Sequence, residues 1–315
     1  MLFVAGLHSH LRRTMAFAEV IHQKYPTEPL TTENRLDTVA RNGPEEVPDV
    51  ARSIVTLTSD FGTSDPFVSM IKGVILGINP EVELVDITHD IRPFDIMEAA
   101  YVVAQAYRYF PPRTVHLVVV DPGVGTARRP LLVSADRYVF VAPDNGVLSV
   151  IYSKEESLYV SHITASHYFL EPVSNTFHGR DVFAPVAAWL SRQVETTKFG
   201  DLITDYAKFA LPVPKRVNEK LVKAVVLRVD RFGTLLTNLT PADLPELFQE
   251  NPAAFKMMVG KGEITQLKTA YADGAQGELF AILGSSGFIE IAANKGSASQ
   301  ALGVGRGVEV GVVLQ

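Results

Sequence analysis

The stretch TVHLVVVDPGVGTARR, residues 114–129, constrains the fold of this chain more than any other. Residues 114–120 form a β-branched, apolar run of the kind found in strands buried on both faces. The run stops at Asp121. Pro122, Gly123 and Gly125 then force a tight turn, since Pro fixes φ and Gly tolerates positive φ. Arg128 and Arg129 follow. Open α/β sheets place their ligands beyond the carboxyl ends of their strands, which makes Asp121 and Arg128 candidates for chemistry. The competing reading is that Asp121 caps the turn and both arginines are solvated.

On either side of this strand, apolar strands alternate with amphipathic helices. Residues 54–59 read as a strand ending in Asp60-Phe61-Gly62. A helix over 66–78 follows, with Asp65 as its cap and Pro66 in the first turn. Residues 82–88 form a second strand and 95–110 a second helix, whose positions 96, 99, 100, 103 and 107 share one face. Strands at 131–135 and 138–142 come after the central one. The turn Pro143-Asp144-Asn145-Gly146 reads either as part of the ligand side or as a plain type I turn. His178 precedes a helix running through Trp189, with Asp181 near its positive end. This alternation predicts a largely parallel central sheet flanked by helices.

Two prolines and several charges over 205–220 mark a domain boundary. The reading is an N-terminal α/β domain over 53–205, a linker over 206–220 and a smaller C-terminal β-barrel domain over 221–315. Strands at 221–229, 256–259, 263–269, 279–283, 288–293 and 308–314 build that barrel or sandwich, with one helix at 241–249. Residues 1–52 read as an extension, whose polar, Pro-bearing stretch 25–50 lacks steady periodicity and reads as disordered or the product of an upstream start, with Met15 an alternative start. The short apolar patch at the beginning is followed by basic residues rather than preceded by them, a poor signal peptide.

Composition removes several function classes. A net charge of −6 with no basic run argues against a nucleic-acid surface. The absence of cysteine excludes disulfides, thiolate catalysis and Cys-ligated zinc. No apolar run approaches the roughly 20 residues of a membrane span. The segment GVGTARR lacks the lysine and the spacing of a phosphate-binding P-loop. A cytoplasmic protein is the expectation.

Seven segments in order carry a family resemblance: TLTSDFGTSD (56–65), VDITHDIRPFD (85–95), VVDPGVGTARRP (120–130), APDNG (142–146), TFHGRDVFAP (176–185), VDRFGTLLTN (229–238) and GSSGFIEIAANKGSA (284–298). Together they resemble the S-adenosyl-L-methionine hydroxide adenosyltransferases, adenosine-forming hydrolases related to fluorinase and chlorinase. The resemblance runs from about residue 53 to the C-terminus. It implies an α/β domain followed by a β-barrel, a homotrimer with sites between neighbouring subunits, and a reaction in which water or hydroxide attacks ribose C5′ to release L-methionine and adenosine. No cofactor and no metal is implied, since S-adenosyl-L-methionine is the substrate.

By the same resemblance, Asp121, Arg128 and His178 form the catalytic triad. In fluorinase-like relatives the positions of Asp121 and His178 are tyrosines and a serine replaces Gly179, so this sequence sides with the hydrolases. Asp121 as general base and a hydroxide held by Arg128 and His178 both stand as routes to the nucleophile. Asp60 matches the carboxylate that binds both ribose hydroxyls, and Phe94 an aromatic beside the ribose. Asp65 and Asp230 match groups near the amino-acid end, with helix cap and strand-end turn as their structural alternatives. Phe232 and Tyr271 match aromatics around the adenine. Ser285, Glu290, Ala293 and Asn294 fall in the adenine-side motif, where Glu290 and Asn294 are equally readable as structural. Thr234 departs from the family's usual Asn and offers a shorter, single hydroxyl to the base. A halide-using adenosyltransferase and a non-catalytic binding module for S-adenosylmethionine or adenosine are the rival readings.

Overall fold

A computed structural model describes residues 52–315; the expectation of a disordered extension falls almost wholly outside the described residues. The described chain groups into two compact units. One holds the residues up to Ala99 together with Ala106–Ala207, the other Ala100–Gln105 with Lys208–Gln315.

In the first unit six strands form one sheet: β1 (Ile54–Ser59), β2 (Glu83–Thr88), β3 (Val115–Val119), β4 (Pro130–Ala135), β5 (Val139–Pro143) and β6 (Leu158–His162), in the order β2-β1-β3-β5-β4-β6. Pairings β1–β2, β1–β3 and β3–β5 are parallel, while β4–β5 and β4–β6 are antiparallel. The sheet is therefore mixed rather than largely parallel. The cause is local: only Asp136-Arg137-Tyr138 separate β4 from β5, with Ala135 N–H bonded to Tyr138 O at 2.9 Å. So short a link joins antiparallel strands only.

Helices α1 (Phe67–Ile78), α3 (Ser149–Lys154) and α4 (Ala184–Ser191) accompany these strands, while α2 (Ile96–Ala106) has its residues Ala100–Gln105 in the second unit. On one face, Ile71, Ile75 and Ile78 of α1 and Val186, Ala187 and Leu190 of α4 pack on Val55, Leu57, Val115, Leu117 and Val119. This is the 3.6-residue stripe of a helix meeting the 2-residue alternation of strands. Elsewhere in the sheet, Thr56 and His116 face each other across β1 and β3, joined by an Oγ1–Nδ1 contact of 2.8 Å. Burial pushes that imidazole down to about 3, so it is a neutral core histidine. The expected Asp65 cap is not formed: α1 begins at Phe67, Pro66 takes the cap position and no side chain caps the helix. The helix expected through Trp189 is present as α4, and a π-helical turn, Gly179–Phe183, leads into it.

The second unit contains β7 (Lys215–Asn218), β8 (Leu221–Val229), β9 (Leu235–Thr237), β10 (Phe255–Val259), β11 (Gly262–Ile264), β12 (Leu267–Lys268), β13 (Leu279–Leu283), β14 (Ile289–Ala293) and β15 (Glu309–Leu314), with helix α5 (Ala298–Leu302). The sheet path β11-β10-β15-β8-β9-β14-β13-β12, with β7 beside β8, curls around its core as a half-barrel rather than closing. Strand β7 lies inside the stretch read as linker; its four residues are all exposed, so it carries no apolar signal. The helix expected over 241–249 is only a 3-10 turn, Pro245–Leu247. Pro245 explains this, because proline disfavours helical backbone in the residue before it, and Leu244 has φ −136° and ψ 56°.

Candidate active site

Parallel pairing sets β1 and β3 level, with Ser59 opposite Val119, so their carboxyl ends deliver Asp60 and Asp121 to one edge of the sheet. The turn after β3 is self-braced. Val124 N–H bonds Asp121 O, and Thr126 Oγ1 donates to Gly123 O at 2.6 Å. Gly125 has φ +75°, and a Cβ there would stand 2.1 Å from Asn175 O. Only glycine lets the turn lie against the segment that leads to His178. Asn145 Nδ2 donates to Val120 O at 2.8 Å and fixes the strand end from β5.

Arg128 folds back across this turn. Its Nε donates to Asp121 Oδ1 at 3.0 Å and its Nη2 to Asp121 Oδ2, a two-point carboxylate–guanidinium pair whose side chains are only 5% and 6% exposed. Nη2 also reaches His178 Nδ1 at 3.1 Å. A guanidinium has donors only, so Nδ1 accepts and the neutral ring carries its proton on Nε2. The Arg128 guanidinium carbon sits 5.1 Å from the centre of the Phe183 ring. Its Nη1 is buried and has no hydrogen-bond partner among the described residues.

The electrostatics follow from this burial. Desolvation pushes the Asp121 carboxyl above its ordinary value, with Arg128 opposing. Desolvation, and then Arg128, push the His178 imidazole below its ordinary 6.5. Arg129 takes no part. It holds Asp144 at 2.8 Å and Asp205 at 2.8 Å, and Asp144 also accepts Ala207 N–H, which settles the Pro143–Gly146 turn as structural.

Asp60, Phe94, Asp121 and His178 line one cleft of about 280 Å³, with Arg128 bonded to both Asp121 and His178. Asp60 Oδ2 accepts Phe94 N–H at 2.8 Å; Phe94 holds φ +67° and is 71% exposed. Asp65 is exposed and does not line this cleft. Phe61, Phe67 and Phe177, unforeseen from the sequence, form an aromatic wall at 5.3–5.8 Å between ring centres, with Phe177 edge-to-face against the other two. Phe61 and Phe177 adjoin Asp60 and His178, which is the signal that would have found them; Phe67, in the first turn of α1, carried no such signal.

In the second unit, Asp230, Thr234, Ser285 and Glu290 line a smaller cleft of about 130 Å³ together with Gln105 and Arg228. Asp230 Oδ1 accepts the N–H groups of Phe232 and Thr234 at 2.9 and 2.8 Å, so one oxygen serves the β8–β9 turn. Tyr271 OH bonds Glu290 Oε2 at 3.1 Å. Burial raises the Glu290 carboxyl, and burial with Glu290 alongside raises the Tyr271 phenol to about 12. Phe232 is 79% exposed beside this turn. Asn294 Nδ2 donates to Gly274 O at 2.7 Å, and the Asn294 main-chain carbonyl accepts Gly277 N–H. Ala293 closes β14 and accepts Gly296 N–H. Among the described residues no group of three or more His, Asp or Glu side chains forms a metal-binding cluster.

Fold and site define a protein of two α/β and β units carrying a buried carboxylate–guanidinium pair bonded to an imidazole at a sheet edge. Residues 55–200 match the SAM hydroxide adenosyltransferase N-terminal domain and 224–311 the SAM hydroxide adenosyltransferase C-terminal domain. The chain belongs to this family. It is 36% identical over 252 residues to an (R)-S-adenosyl-L-methionine hydrolase of Salinispora tropica, covering 79% of this chain and 94% of that one. A protein of the same name from Thermus thermophilus is 34% identical, with 81% and 98% covered. A fluorinase of an Actinoplanes species is more distant, at 27% with 79% and 93% covered. Among solved structures, an uncharacterized conserved protein from Thermotoga maritima superposes with a TM-score of 0.77 at 38% identity, covering 82% of this chain and 99% of that one.

Proposed function

We propose that this chain hydrolyses S-adenosyl-L-methionine to adenosine and L-methionine. The observation that carries the reading is the buried Asp121–Arg128 pair bonded to His178, bordering a cleft that also holds Asp60 and Phe94. The names of the relatives, (R)-S-adenosyl-L-methionine hydrolases, support it and point to the (R) sulfonium as the preferred epimer.

The oxygen of water or hydroxide forms a bond to ribose C5′ as the C5′–S bond breaks. The sulfur leaves with the bonding pair as a neutral thioether, so no general acid is required. The demand falls on the nucleophile, because free water has a pKa of about 15.7. Asp121 serves as the acceptor of its proton, or Arg128 and the Nε2–H of His178 hold a hydroxide in a largely dry site. The unpartnered Nη1 of Arg128 suits the second route, since a buried donor of a charged group is costly until an oxygen accepts from it. Neither route calls on a metal or a cofactor.

Asp60 retains lone pairs for the ribose hydroxyls beyond the one given to Phe94, and Phe94 offers its ring to the sugar. Asp65 and Asp230 serve the amino-acid end; Phe232, Thr234, Tyr271, Ser285, Glu290, Ala293 and Asn294 serve the adenine. The assembly in this reading is a cytoplasmic homotrimer whose neighbouring subunits complete each site. Exposed Phe94 and Phe232, aromatics of the two ligand sets, support it.

The test is incubation with each sulfonium epimer of S-adenosylmethionine, followed by chromatography for adenosine and methionine. Equimolar products, faster from the (R) epimer, are expected. Binding without turnover would leave a non-catalytic module, and 5′-chloro-5′-deoxyadenosine formed in chloride would indicate a halide-using enzyme.

A further inference from the structure

The motif VDITHDIRPFD supplies Phe94 to the cleft, while its histidine takes no part in the chemistry above. We propose that His89 is the positioning residue for Asp60, a role that rests on reading Asp60 as the ribose-binding carboxylate. His89 directly follows β2, and Ser59 ends the neighbouring parallel strand β1. The β1–β2 register skips Ile87, pairing Leu57 with Asp86 and Thr58 with Thr88. Beyond this irregularity the His89 side chain lies buried, 5% exposed, against the end of β1.

His89 grips the Asp60 turn at both ends. Its Nδ1 lies 2.7 Å from Ser59 Oγ, one residue before Asp60. Its main-chain carbonyl accepts Gly62 N–H at 2.9 Å, two residues after Asp60. Gly62 has φ +66°, which returns the chain toward β2. Inside the bracket, Ser59 Oγ also accepts Phe61 N–H at 3.4 Å. Asp60 then passes the constraint on by holding Phe94 N–H, in a residue whose φ of +67° is uncommon for an aromatic side chain.

The far side of the ring is backed by charge. Nε2 is 3.0 Å from Asp86 Oδ1 without the alignment of a hydrogen bond, and Asp86 is held in turn by Lys72 Nζ at 2.6 Å. Ser59, His89 and Asp86 match a hydrolase triad in residue type only. Ser59 is 3% exposed and its hydroxyl is engaged in the turn, so the arrangement orients rather than attacks.

Steady-state kinetics with S-adenosylmethionine and amide hydrogen exchange on the same full-length variants test this. His89→Ala should raise KM about tenfold with kcat within about twofold, the split expected when a group serving ground and transition state alike is loosened. His89→Asn keeps a polar atom near Nδ1 and should bring KM back to within about threefold of wild type, whereas His89→Gln, reaching toward Nε2, should not. The Phe61 and Gly62 amides should exchange faster in His89→Ala while those of β3 are unchanged. An unaltered KM in His89→Ala, or a His89→Asn no better than His89→Ala with kcat lost in parallel, overturns the proposal. A wild-type protein without turnover overturns the hydrolase reading alone, and exchange at Phe61 and Gly62 then still decides what His89 does.

Discussion

Replacing Asp121 by Asn changes almost no volume and removes one charge from a pair that water scarcely reaches. Arg128 then loses a two-point anion, one bond of which is 3.0 Å long, and meets an amide NH₂ where an oxygen stood. Breaking a buried ion pair by deleting one partner costs roughly 3–5 kcal/mol, a large share of the roughly 5–15 kcal/mol that holds a domain folded. Arg128→Met should cost a similar amount, because Asp121 is then the buried orphan. The double variant Asp121→Asn/Arg128→Met should recover much of the loss, since no unpaired buried charge remains. Urea denaturation followed by circular dichroism measures all three, with a coupling of about 2 kcal/mol or more expected between the two sites. In the same preparations Asp121→Asn should lower turnover about 10²–10⁴-fold if Asp121 is the base. That corresponds to about 3–5 kcal/mol of barrier. Additive stabilities within about 0.5 kcal/mol, together with wild-type turnover in Asp121→Asn, would show that the pair neither holds this turn nor serves the reaction.

The remaining expectations are shorter. His178 is held below its ordinary 6.5, so its neutral form is favoured by the fold; the stability it contributes is complete above 6.5 and is lost as pH falls through the lower folded value. Protonation would also set Nδ1–H against the Arg128 donor, so kcat/KM should show an acid limb below pH 6.5 that His178→Asn removes. Gly125→Ala should cost at least about 1–2 kcal/mol for its left-handed backbone and more for the clash with Asn175 O, read as a lowered Tm with turnover reduced. Light scattering should give the mass of three 34.4 kDa chains; an active monomer would remove the shared-site assembly. Deleting residues 1–50 should leave activity intact, as the family match begins at residue 55.

What the sequence disclosed follows from how locally each feature is encoded. The β3 run and its abrupt end are written in consecutive residues, and the structure keeps Val115–Val119 fully buried with Asp121 just beyond. The alternation of β1, α1, β2 and α2 was legible for the same reason. Mixed sheet direction was not, because it depends on where a three-residue link sends β5 and not on the apolar content of β4 and β5. Strand β7 escaped because an exposed edge strand has no buried face to write into its sequence. The dual nature of the arginine pair was equally hidden. Arg128 and Arg129 are adjacent, yet one turns to Asp121 and the other to Asp144 and Asp205, a choice made by turn geometry.

That geometry also bears on the nucleophile. Arg128 weakens Asp121 as a base through its field, while burial strengthens it; these two influences act on the same carboxyl and oppose each other. With His178 neutral, the pair and the imidazole sum to zero charge, so the cluster gives a hydroxide no net-charge advantage over water. A hydroxide would instead be held by specific donors, the Nε2–H of His178 and a guanidinium edge of Arg128. The two routes therefore separate in one variant. Arg128→Ala removes the donor and also frees Asp121 from its cation, which raises its proton affinity. If Asp121 is the base, Arg128→Ala should be the milder change, and its acid limb should move upward and then level off. If hydroxide is the nucleophile, Arg128→Ala should be more damaging than Asp121→Asn, and each pH unit upward should restore part of the loss by raising hydroxide concentration. A pH–rate series on these two variants decides it. Equal damage with no pH rescue in either would mean that Arg128 acts only by holding the turn.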